Sequence, residues 1–142
     1  CISSAASDVY KRQADDSDAV YQVYDVVKKP LMNQNTKEQD FIMYLVDCTG
    51  LLKSMREHNI YTITMELICQ DLPTIHQHFF GNEERRKSFK SNVENIEIYL
   101  DFVYVIMSDH YQRVFHNSNS LNFFTLMDRF LVAIPLLLDS FC

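Results

Sequence analysis

The chain has 142 residues, 47% of them hydrophobic and 13% aromatic, with a formal net charge of −6. That length bounds it to one compact domain or a slice of something longer, with ample material for a core. The acidic balance argues against a general affinity for phosphate backbones, so nucleic acid is not an expected partner.

Turn residues are scarce. Gly50, Gly81, Pro30, Pro73 and Pro135 are the only glycines and prolines, and none falls between Asn82 and Ile134. Strands need frequent tight reversals, and those reversals draw on glycine and proline. A few long helices build such a stretch more easily, and the chain is read as all-α.

The opening, Cys1 to Gln13, lacks a methionine and resembles translated sequencing-adapter read-through. It is expected to be a non-native, disordered leader, which leaves 14–142 as the helical segment. That segment stops directly after an apolar helical face, at Phe141-Cys142, and is expected to be a piece of a larger protein.

The first predicted helix runs from Ser17 to Lys29, capped by Asp16 or Ser17, with Val20, Tyr21, Tyr24 and Val27 as its apolar stripe and Pro30 as its stop. Thr36, with Gln39 three residues later, reads as a capping box for the second helix. That helix carries Phe41, Ile42, Leu45, Val46, Cys48, Leu52 and Met55 and ends near His58-Asn59. Gly50 inside it is expected to mark close helix packing or a kink. The third helix carries Ile63, Met65, Leu67, Ile68 and Leu72. A new first turn is expected at Leu72-Pro73 before Ile75 and Phe79 lead to a C-cap at Gly81.

Asn82 is placed to cap a short charged helix, Glu83 to Lys90, whose acids precede its bases as the helix dipole favours. Ser91 and Glu94 read as a second capping box before the longest predicted element, Asn92 to Phe115. Between Ile98 and Met107 that element is apolar on nearly every side apart from Asp101, the mark of a helix buried on several sides. His116 to Ser120 is the clearest loop. The last helix runs from Leu121 to the end, with Phe124, Met127, Leu131, Ile134 and Leu138 as its stripe and a kink expected at Pro135. Its strongest apolar run, Phe130 to Leu138, covers nine residues. A membrane span needs roughly 20, so none is expected.

Met65 to Phe79 aligns with Met127 to Phe141 at an offset of 62 residues, with Met, Pro and Phe coinciding. A repeat of this kind implies antiparallel helix pairs whose second helix bends at proline. That arrangement resembles HEAT- or armadillo-type arrays, in which each pair buries its apolar face against its neighbours. The expected fold is accordingly an α-solenoid fragment of stacked hairpins, and the alternative is a single helical bundle.

No catalytic, cofactor or metal residue is expected. His76 and His78 lie two apart and point to opposite sides of a helix, so they cannot grip one ion and read as surface residues at a helix end. His110 and His116 do not share a face. Cys48 and Cys69 sit inside helical stripes and read as reduced core thiols. The one basic cluster, Arg85, Arg86, Lys87 and Lys90, reads chiefly as a solvated face. With His116, Asn117 and Asn119 in the nearby loop, it is also the best candidate for a protein-binding patch.

The expected function is a non-catalytic scaffold or protein-interaction segment of a large intracellular protein, cytoplasmic or nuclear. The rest of the parent chain is expected to pack on the terminal helices. The alternatives are a self-contained bundle regulator of cytokine-like or Bcl-2-like type, and a helical flank of a large enzyme such as one of the ubiquitin system.

Overall fold

Periodic apolar positions and the scarcity of chain breakers resolve into six α-helices in a computed structural model that describes residues 17–33, 35–56, 58, 60–110 and 121–139. We number them α1 (Ser17–Lys28), α2 (Glu38–Ser54), α3 (Tyr61–Phe80), α4 (Glu83–Lys90), α5 (Val93–Asp109) and α6 (Leu121–Leu138). A short 3-10 turn, Lys29–Met32, follows α1, and no strand occurs among the described residues. The leader lies outside the described residues, as do residues 111–115 of the predicted fifth helix.

Several helix ends differ from their predicted caps. The start of α2 is closed by Asp40, whose carboxylate accepts from the Lys37 backbone N–H at 2.9 Å. Thr36 instead donates its hydroxyl to the Leu31 and Asn33 carbonyls, tying the 3-10 turn to the entry of α2. Asn82 caps α4 as expected, accepting from Arg85 N–H at 2.8 Å. At α5 the cap is Asn92, whose side-chain oxygen accepts from Glu94 N–H at 3.0 Å, while Ser91 donates back to Ser88 and finishes α4. No new helix begins at Pro73: α3 continues through it, and α6 continues through Pro135.

Gly81 does follow α3, in ordinary right-handed backbone, with its N–H donating to the Gln77 carbonyl at 2.9 Å. Glycine is needed there for room, because a Cβ would stand 2.5 Å from that same carbonyl oxygen. Gly50 is the opposite case. It is exposed, and a Cβ there would meet nothing within 4 Å, so it marks neither close packing nor a crowded crossing.

α3 lies at the centre. It packs most extensively against α6, while α2 packs most extensively against α5; α1 rests on α2 and α3, and α4 bridges α3 to α5 and touches α6. The core is aromatic where these helices converge. Phe41 stacks on Phe79 with ring centres 4.4 Å apart, and Phe80 meets Phe89 and Tyr99 edge-on at 5.0 and 5.2 Å. Such pairs add about 0.5–1.5 kcal/mol each beyond the area they bury.

The last helix is rotated relative to its predicted stripe. Phe123, Leu126, Phe130, Ala133 and Leu137 are buried, each one residue before a position expected to be. Phe124 and Leu131 of the expected stripe face solvent, 54% and 65% exposed. Both registers satisfy a 3.6-residue period, and packing against α3 selects one of them.

Candidate functional site

The basic segment of α4 is placed by the end of α3. Arg85 donates to the His78 carbonyl at 3.0 Å, and Arg86 donates to the Phe80 carbonyl at 2.9 Å. These are among the last carbonyls of α3, which its own ladder leaves unpaired, so the two guanidiniums close that helix end. Lys87 pairs with Glu83 one turn earlier at 3.2 Å, fully on the surface. Lys90 reaches α6, bonding the Asp139 carboxylate and the Leu136 carbonyl. His116, Asn117 and Asn119, the loop part of the predicted patch, lie outside the described residues.

The predicted surface pair of histidines separates. His78 is exposed, its pKa lowered by partial burial and then by the neighbouring Arg85. His76 is buried: its Nε2 lies 2.7 Å from the Tyr99 hydroxyl, and its ring meets Phe80 edge-on at 4.6 Å. Burial, then the charge of Arg129, pushes its pKa down to about 3. His110 closes α5 by stacking flat on Phe123 at 3.6 Å, which leaves its Nδ1 buried without a hydrogen-bond partner. Burial lowers its pKa too. Among the described residues no group of three His, Cys, Asp or Glu side chains is arranged to hold a metal ion.

Cys48 and Cys69 are free and buried. Burial raises both thiols, Cys69 to about 12 with Glu66 adding to the effect, so neither supplies a thiolate near neutrality. Cys69 lines a cavity of about 240 Å³ between α3 and α6, with Met65, His110 and Phe123.

Two buried polar clusters join distant helices, and neither was visible in the sequence. Tyr24 of α1 lies 2.7 Å from the Tyr44 hydroxyl and donates to Asp71 at 2.8 Å, and Asp71 also pairs with Lys28 at 3.0 Å. Near the start of α3 Asp109 accepts from Tyr61 at 2.6 Å and from Arg56 at 3.2 Å. Both clusters stitch helices far apart in sequence, which no local pattern signals.

The remaining feature is apolar and exposed. Leu100, Tyr104 and Met107 on α5 and Leu131 and Val132 on α6 all face solvent, Tyr104 the most at 70%. Among the described residues no helix is long and apolar enough to cross a membrane. No family model, curated protein or solved structure matches this chain.

Proposed function

We propose that this chain is a non-catalytic helical module that binds other proteins, built as two stacked helical hairpins. One observation carries the reading: corresponding helices pair. α2 and α5 are each 17 residues long, and Tyr44-Leu45 of one aligns with Tyr99-Leu100 of the other at an offset of 55 residues. α3 and α6 are related by the 62-residue echo. The two most extensive helix contacts are α2 with α5 and α3 with α6, and a stacked repeat would pair its helices in this way.

The groups that could act chemically support the same reading. Cys48, Cys69, His76 and His110 are built into the interior, and the cations Arg85, Arg86 and Lys90 hold helix ends. Free buried thiols suit a reducing, intracellular compartment. The test is quantitative affinity purification of the tagged chain from its own cells after mild cross-linking. A protein recovered reproducibly in stoichiometric amount is expected; recovery of the chain alone would overturn the proposal.

A second reading, a self-contained bundle, draws on a different observation. One continuous buried cluster takes residues from every helix, from Tyr24 of α1 to Leu137 of α6. A single cooperative unfolding transition, coincident by fluorescence and circular dichroism, favours the bundle. Separate transitions for the two hairpins favour the stack.

A further inference from the structure

The fold leaves one buried polar atom unmet. Among the described residues, His110 Nδ1 is the only buried side-chain nitrogen or oxygen without a hydrogen-bond partner. The residue is 2% exposed, and its imidazole lies flat on Phe123 of α6, 3.6 Å between ring centres and 4° between planes. That stack fixes the plane of the ring but does nothing for its nitrogens. Burying a polar group without a partner is costly, so a molecule that supplies the partner gains more than it would from an exposed nitrogen.

His110 also lines the cavity between α3 and α6, about 240 Å³ in volume. Met65 and Cys69 of α3 and Phe123 of α6 line it too and are buried. Glu66, Gln70 and Asn122 complete the lining among the described residues and are exposed, which places them at its mouth. The inner wall is thus two sulfur side chains and two flat rings, with the imidazole as its one strong hydrogen-bonding group. Water suits such a wall poorly, because a buried water typically makes about three hydrogen bonds. An apolar cavity of about 150 Å³ accommodates benzene, and drug-sized pockets begin near about 300 Å³. The volume here therefore suits one ring or two fused ones.

We propose that this cavity binds a small neutral ring compound carrying a hydroxyl, a phenol in the simplest case, with the hydroxyl on His110 Nδ1. The flat body follows from the wall, since sulfur makes favourable contacts at the edges of aromatic rings and Phe123 offers a further ring. The hydroxyl follows from the imidazole. Burial lowers the His110 pKa, so the ring is uncharged near neutrality, and Nδ1 then accepts or donates according to tautomer. A hydroxyl matches both cases, whereas a carbonyl or carboxylate oxygen matches one. A half turn about the Cβ–Cγ bond exchanges Nδ1 with Cδ2 and keeps the plane stacked on Phe123, so the nitrogen can be offered from either edge. Neutrality of the ligand follows from Glu66 at the mouth, which repels an anion, and from an inner wall that gives a buried cation no counter-charge. The site is independent of the protein-binding reading and stands or falls without it.

The test uses the full chain and three probes of similar size: phenol, toluene and benzoate. Phenol is expected to bind with a dissociation constant of about 1 mM or below in an NMR titration. Toluene should bind at least about fivefold more weakly, and benzoate not detectably at about 10 mM. On the unaltered chain, phenol should show nuclear Overhauser contacts to the Met65 methyl group. It should also shift the His110 Nδ1 resonance, which toluene should leave in place. His110→Phe keeps a ring on Phe123 and removes the nitrogen, so it should bind phenol and toluene alike. Should that variant unfold, the contacts and shifts on the unaltered chain decide. No phenol binding at about 10 mM, toluene binding equal to phenol, contacts away from Met65, or a folded His110→Phe that still prefers phenol would each overturn the proposal. A His110 Nδ1 already hydrogen-bonded in the free chain and unmoved by phenol would do so as well, because the fold would then meet that atom itself.

Discussion

His76 and Tyr99 join α3 to α5 in the middle of the aromatic core, imidazole Nε2 to hydroxyl at 2.7 Å, with neither group open to water. A neutral imidazole suits this site, since it can either accept from the hydroxyl or donate to it. A protonated one would carry charge into a ring of Phe80, Phe130 and Tyr99 with Arg129 nearby.

Acid stability should therefore depend on His76. Its folded pKa of about 3 lies below the ordinary unfolded value near 6.5, so between those values the unfolded chain binds the extra proton. Stability is full above the unfolded pKa and falls as pH drops through the window, by about 1 kcal/mol per pH unit from this group. His110, lowered in the same direction, adds to the slope. Urea midpoints of wild type and His76→Phe across that range are the measurement. The variant loses stability at neutral pH, by about 1–3 kcal/mol for the stranded Tyr99 hydroxyl, yet should show a shallower acid slope. Equal slopes would remove His76 from the account.

How much of this was legible beforehand varies from element to element, for physical reasons. Helix number and type followed from periodicity and from where glycine and proline are missing, and Asn82 was readable because a cap is a local device. The face of α6 was not readable. Phe123, Phe124, Leu131, Val132 and Leu136 make the helix apolar around most of its circumference, so period alone leaves two stripes to choose between. His76 was misplaced because a polar residue near a helix end suggests water, and its partner Tyr99 lies 23 residues away. Of the predicted binding patch, the structure places Arg85, Arg86 and Lys90 on helix ends and Lys87 in a surface pair with Glu83; the loop residues lie outside the described residues.

The two glycines should respond in opposite directions to alanine. Gly50→Ala adds a methyl group in open space in the interior of α2 and should stabilise by about 1 kcal/mol through helix propensity. Gly81→Ala must move backbone away from the Gln77 carbonyl, 2.5 Å from the new carbon, and should destabilise despite the same propensity gain. Thermal melts of the two variants decide this, and a shift of the same sign in both would contradict the packing described.

At the Asp109 cluster, removing the base should cost more than removing the acid. Asp109 is 3% exposed, whereas the Arg56 side chain keeps about a third of its surface in water. Arg56→Ala leaves a buried carboxylate with only the Tyr61 hydroxyl, a loss of about 2–4 kcal/mol. Asp109→Asn keeps the shape and an acceptor oxygen, and the guanidinium retains hydration, for a loss of about 1–2 kcal/mol. Denaturant titration of both variants gives the order directly, and the reverse order would mean that the Tyr61 hydroxyl, rather than Arg56, is what holds the carboxylate.

The α4 cations allow helix capping to be separated from partner contact. Arg86 donates to the Phe80 carbonyl at the end of α3 and is only partly exposed, so Arg86→Ala should lower stability by about 1 kcal/mol. Lys87 makes one surface pair with Glu83, worth at most about 0.5 kcal/mol, so Lys87→Ala should melt with the wild type. Lys87 is thus the cleaner probe of the patch. If Lys87→Glu melts almost normally and loses a cellular partner, α4 is part of the contact surface. If it melts normally and keeps the partner, α4 is not part of the contact surface, and Arg85 and Arg86 serve to hold the end of α3 in place.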